Sequence, residues 1–257
     1  MERNLAESAA KATDAGWRQT RRVGFVGGMS WPSTALYYER INRALERRCG
    51  PHHSMNGVIW SLNYEWLLSA AIAGQWGKIE RMICDAASGL TRAGCDVVVL
   101  TAVTAHLFAD AVAMEIGRPV PHILSSVGRE LDRLGVRQVG VLGTEHTCSA
   151  RFLTKYLGTG GRKLLLLDPE RQARIDSLIQ NVLTTDAVRD DGAETLRGAV
   201  CHLRDRGAQV VVLACTELPL LLPLRDIDVS IVDAVAVHIE DICDLVGNRV
   251  DGSAVAS

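Results

Sequence analysis

An internal repeat constrains this chain more than any other feature. Residues 21–28, RRVGFVGG, return as RQVGVLGT at 137–144, an offset of 116. Residues 90–102, LTRAGCDVVVLTA, return as LRDRGAQVVVLAC at 203–215, an offset of 113. Two matches in the same order at nearly one spacing predict two similar lobes, and two related lobes enclose a cleft.

The repeated segments carry β-branched runs that alternate with helix-length amphipathic stretches, the rhythm of a parallel α/β sheet. Strands are predicted at 23–26, 58–62, 97–101, 120–123, 138–142, 163–167, 210–214 and 229–232. Helices are predicted at 33–48, 76–92, 147–157, 171–183 and 191–206. At 257 residues the chain suits one large or two small domains and buries a substantial core.

Composition narrows the ligand. With 28 Lys and Arg against 30 Asp and Glu, the net charge is −2, which disfavours a nucleic-acid-binding surface and leaves a small neutral or anionic ligand open. The first 22 residues are basic and rich in Ala and Ser but hold no apolar core of signal-peptide length. They read as a frayed extension of a cytoplasmic protein, and residues 248–257 as a flexible tail. The longest apolar runs are strand-length, so no membrane partner is expected. Seven cysteines, an odd number without C-x-x-C spacing, predict neither a disulfide framework nor structural zinc, and His52-His53 beside Pro51 lacks a third ligand. Gly24, Gly27 and Gly28 do not form G-x-G-x-x-G, and no G-K-[ST] phosphate loop occurs. No metal or cofactor is therefore expected.

Open parallel sheets bind ligands at the carboxyl ends of their strands, which directs attention to Met29-Ser30, 101–104, Gly143-Thr144 and 215–217. Cys215 ends an apolar run before Thr216-Glu217, where free backbone N–H groups of a following helix favour a thiolate. It is expected to be the acid/base, with a lowered pKa and preferential reaction with iodoacetamide. Thr104, Thr144, Thr147 and Thr216 offer hydroxyls or amides for a carboxylate. Glu217 either polarises a neighbour or favours the helix terminus electrostatically.

Pieces spread over 23–245 resemble the aspartate/glutamate racemase superfamily of cofactor-independent amino-acid racemases: VGFVGGMSW at 23–31, YYERIN at 37–42, HHS at 52–54, GQW at 74–76, RAGCDVVVL at 92–100, TAH at 104–106, VGVLGTEHT at 139–147, ACTE at 214–217 and the segment 233–238. The resemblance implies two flavodoxin-like lobes related by a pseudo-twofold axis, 23–121 with 234–247 and then 122–233, with the active-site cleft between them. It also implies a homodimer and one cysteine from each lobe on opposite faces of the substrate α-carbon. Abstracting an α-hydrogen without pyridoxal needs a base on one face and an acid on the other, with donors for the developing enediolate.

The family motif Cys-Asn-Thr, one residue, then His falls on Ala102, Val103, Thr104, Ala105 and His106. The first cysteine position is thus Ala102 and the carboxylate-holding Asn is Val103, neither of which transfers a proton. Thr101 is one residue early and points to the other face of a strand. Arg174 matches a position where relatives of acidic substrates place a lysine, and His53 and His106 match positions near the cleft. The expected activity is a racemase-type proton transfer on a small amino or dicarboxylic acid with Cys215 as acid/base. A single-cysteine decarboxylase or lyase resembling the arylmalonate decarboxylases stays open, as do a non-catalytic binder and an engineered loss of the cysteine at Ala102.

Overall fold

A computed structural model of the chain describes residues 21–149, 151–185, 192–224 and 226–247. The extension up to residue 20 and the tail 248–257 lie outside the described residues.

The repeat becomes two parallel sheets. The first holds β1 (Val23–Gly27), β2 (Gly57–Ser61) and β3 (Val97–Leu100) in the order β2-β1-β3. The second holds β4 (Gln138–Leu142), β5 (Lys163–Leu165), β6 (Val210–Leu213) and β7 (Ser230–Asp233) in the order β5-β4-β6-β7. Val23 pairs with Val97 and Val26 with Leu100, while Val139 pairs with Val210 and Leu142 with Leu213. The repeated residues thus meet in the same register in both lobes. β1, β3 and β6 are buried along their whole length, as the unbroken apolar runs require when helices cover both faces.

Packing repeats with the sheets. A Cβ on Gly24 would meet Leu90 at 2.9 Å, and one on Gly140 would meet Leu203 at 3.1 Å. Both leucines belong to the second repeated segment, so helix and strand approach at equivalent points in the two lobes. The C-terminal helix Ala234–Gly247 returns to the first lobe, where Val235, Ile239, Ile242 and Val246 share a core with Val23, Phe25, Tyr37, Ile41 and Val97. Its start is held by Asp233, which accepts from the N–H groups of Val235 and Ala236 at 2.9 and 3.2 Å. That same carboxylate pairs with Arg40.

Three local expectations are corrected. Residues 120–123 do not form a strand: Val98 N donates to Pro119 O at 3.0 Å, and the helix Ile123–Leu134 then begins. Pro119 and Pro121 flank this segment and have no N–H to extend a ladder. The helix expected at 147–157 is divided between Glu145–Ser149 and Arg151–Leu157. The one expected at 171–183 is α-helical over Pro169–Leu178 and finishes as a π-helical turn, Ile179–Leu183. Among the described residues no helix is long and apolar enough to cross a membrane.

Candidate active site

A cavity of about 370 Å³ lies at the carboxyl ends of the strands, with walls from both lobes. The second lobe supplies its polar end. The chain leaves β6 through Ala214 to Cys215, and a short 3-10 turn, Leu218–Leu221, follows. Cys215 Sγ donates to Glu217 Oε2 at 3.1 Å, and Thr216 Oγ1 donates to the same oxygen at 2.9 Å. The other carboxylate oxygen, Oε1, accepts from Ser30 Oγ at 2.8 Å across the lobes. Glu217 is buried, and these three donors replace the water it has lost. A second bridge runs from Ser33 Oγ to Thr216 Oγ1 at 3.0 Å.

This setting reverses the expected acidity of Cys215. Cys215 is only 5 % exposed. Burial and then the Glu217 charge push its pKa well above the ordinary thiol value, against backbone N–H groups of Glu217 and Leu218 that pull it down. The N–H groups foreseen from the sequence are present, but desolvation and the adjacent carboxylate outweigh them. The resting group is therefore a thiol hydrogen-bonded to a carboxylate. It follows that Cys215 alkylates slowly at neutral pH and Cys49, which is exposed, is modified before it. Mass-spectrometric mapping of iodoacetamide adducts against time checks this, and rapid labelling of Cys215 would contradict the buried thiol.

The first lobe closes the opposite side. Ala102 and Val103 leave the end of β3 and line the cavity, with Thr104 beside them. Thr101 does not line it: its hydroxyl bonds Thr34 Oγ1 at 3.1 Å and Val26 O at 3.3 Å behind the strand. Met29 contributes from the Gly27-Gly28 turn, whose sharpness rests on Gly28 at φ +80°; a Cβ there would lie 2.1 Å from Leu62 O. Thr144 and Thr147 line the cavity from the end of β4, joined through their hydroxyls at 3.0 Å.

Four expected site residues lie elsewhere. Ser30 sits behind Glu217 as a hydrogen-bond donor and does not face the cavity. His106 lies behind Ala102, its Nδ1 2.9 Å from Ala102 O, in a buried group with His122 and His238. Burial holds His106 far below the usual histidine pKa and pulls His238 down to about 3, so both are neutral structural rings near pH 7. His53 is corrected to an exposed loop residue, its Nδ1 3.1 Å from Gly50 O, because the segment 50–56 leads into the amino end of β2, the opposite end of the sheet from the cavity. Arg174 is corrected likewise: with 68 % of its side chain exposed it pairs with Glu170 one helical turn away at 2.6 Å.

The cavity also recruits residues that sequence reading did not assign. Tyr64, Leu67, Leu68, Ala71 and Ile72 come from the unforeseen helix Tyr64–Ile72, and Trp76, Ile79 and Ile83 from the next one. Burial, with the charge of Glu217, pushes Tyr64 up to about 12, so its phenol remains an O–H donor. Trp76 stacks on His146 of the other lobe, centroids 4.7 Å apart and planes 10° from parallel. Trp76 lies inside the GQW segment, the one signal available; Tyr64, and Gln180 that lines the cavity from the second lobe, have none.

Known proteins share this architecture. The chain is 23% identical over 219 residues, covering 83% of this chain and 93% of the relative, to the broad specificity amino-acid racemase RacX of Bacillus subtilis. An aspartate racemase homologue from Pyrococcus horikoshii OT3 superposes with a TM-score of 0.74 at 27% identity, over 89% of this chain and 100% of the other. The aspartate racemase of Picrophilus torridus superposes with a TM-score of 0.72 at 18% identity, over 89% and 95%. Residues 26–242 match the Asp/Glu/hydantoin racemase family, and with most of its length and both lobes accounted for, the chain belongs to that family.

Proposed function

We propose that this protein performs cofactor-independent proton transfer at the α-carbon of a small carboxylic or amino acid, with Cys215 as acid/base and Glu217 as the group that exchanges its proton. The observation that carries this reading is the Cys215–Glu217 hydrogen bond of 3.1 Å at a strand end that lines the cavity. When Glu217 takes the thiol proton, the thiolate accepts the α-proton and the C–H electron pair moves into an enediolate. Reversal returns a proton from sulfur to carbon on the same face. In this reading the hydroxyls of Thr104, Thr144 and Thr147 and the phenol of Tyr64, all lining the cavity, donate to the enediolate oxygens.

By the sequence resemblance Ala102 and Val103 take the places of the opposing cysteine and the carboxylate-binding Asn, so in this reading the second face has no matching acid. The expected result in heavy water is deuterium uptake at the α-carbon of candidate acids, with configuration retained. Exchange accompanied by inversion would show a second acid and overturn the one-sided scheme; absence of exchange on every amino acid and carboxylate that binds would overturn proton abstraction itself.

The apolar Ala102-Val103 wall favours one further reading, decarboxylation. There the C–C bond of a malonate breaks, carbon dioxide departs, the electron pair forms an enediolate and the Cys215 thiol protonates it from one side. Only one donor is required, and a water-poor wall suits expulsion of a carboxylate. Release of carbon dioxide from a substituted malonate, giving one enantiomer, distinguishes it.

A further inference from the structure

The two ends of the cavity differ in chemistry. Hydroxyls, the thiol and Glu217 line it from the strand ends, while Leu68, Ile72, Trp76, Ile79, Ile83 and Phe108 of the first lobe give it an apolar wall. Among the described residues no Lys or Arg lines the cavity, and the one histidine that does, His146, lies stacked against Trp76. Arg174, the residue positioned by sequence comparison to hold a second carboxylate, is exposed and paired with Glu170. A dicarboxylate with its α-carbon near Cys215 would place its distal charge against that wall, unpaired, in a cavity that already holds the Glu217 carboxylate.

We infer that the substrate is a monocarboxylic acid bearing a neutral aromatic or branched aliphatic group at the α-carbon, and that aspartate and glutamate are excluded. This rests on the proton-transfer reading for the position of the α-carbon at Cys215. The carboxylate lies among the hydroxyls of Thr104, Thr144 and Thr147, and the side chain lies on the wall made by the helices Tyr64–Ile72 and Trp76–Arg92. Aromatic packing against Trp76 and Phe108 adds to simple area burial. The π-helical turn Ile179–Leu183 completes the enclosure, since it brings the consecutive residues Ile179 and Gln180 both to the cavity.

The test measures dissociation constants by calorimetry for phenylglycine, phenylalanine, leucine and phenylacetate against aspartate and glutamate, and α-deuterium uptake for each. The apolar acids are expected to bind roughly 10- to 100-fold more tightly than the dicarboxylates, the range set by burying one large apolar side chain. Ile72, 82 % exposed at the cavity rim, tolerates a polar replacement without cost to the core. Ile72→Arg should reduce this preference several-fold, by weakening apolar acids and strengthening dicarboxylates. Equal or tighter binding of aspartate or glutamate by the unmodified protein overturns the inference, as does failure of every apolar acid to bind. Cys215-dependent exchange on dicarboxylates alone also overturns it, while leaving proton transfer intact. Selective binding of apolar acids without exchange supports the substrate class and removes the proton-transfer reading instead.

Discussion

Cys215→Ala is expected to bind substrate yet lose roughly 10²- to 10⁴-fold of α-hydrogen exchange, the usual scale of a lost general acid/base. Glu217→Gln gives the more diagnostic result, because two observables should move in opposite directions. The amide cannot take up the thiol proton, so exchange slows. The negative charge that raises the Cys215 pKa is also gone, so the thiol ionises at lower pH and alkylation at a fixed neutral pH speeds up. A Glu217 that merely supported the fold would slow exchange with no gain in thiol reactivity. Stopped-time labelling and deuterium uptake on the same preparation separate the cases, and a Glu217→Gln protein with unchanged exchange would remove the carboxylate from the proton path.

Ala102→Cys combined with Val103→Asn should create racemisation where the parent protein shows only retention. Ala102 lines the cavity from the first lobe, at the position that repeats Cys215 of the second, so a thiol there can supply the proton that the second face lacks. The Asn supplies an amide for the carboxylate, and the double variant should therefore exceed either single change. The gain has a structural cost. Val103 is buried in the cluster with Ile123, Leu124 and Val127, and an amide incompletely bonded there costs about 1–3 kcal/mol. The variant should accordingly melt at lower temperature than the parent and be assayed well below that point. Chiral chromatography after incubation with an acid that binds measures the outcome; a double variant that binds, stays folded and inverts nothing would show that position 102 does not face the α-carbon.

The lobes were legible because their strands are fully buried and therefore written as continuous apolar runs, VVVL at 97–100 and again at 210–213. Cys215, Ala102, Val103 and the threonines were legible because chain direction alone puts strand ends at the ligand side. The apolar wall was not. The helix Tyr64–Ile72 buries only Leu67 and Ala70, so it carries little amphipathic signal, and its remaining apolar residues answer to a cavity in the folded state. The acidity of Cys215 was misjudged for a related reason. Local sequence shows the amides of a following turn, whereas burial and the orientation of Glu217 are tertiary facts. Arg174 shows the converse: alignment placed it in a role, but helical spacing in PERQARID gave it Glu170 as a nearer partner.

Ser30 and Ser33 belong to the start of the helix Trp31–Cys49, while Thr216 and Glu217 belong to the other lobe. Their two side-chain bonds sew the base of the cleft shut beside the reacting sulfur. Pulling the lobes apart there would strip a buried carboxylate of one of its three donors, so the base resists opening and behaves as a pivot. Entry and exit then fall to the far rim, where Trp76 of one lobe lies flat against His146 of the other. In such a jaw the hinge and the catalytic group are one place, and a ligand can be admitted while the proton-transfer pair stays assembled.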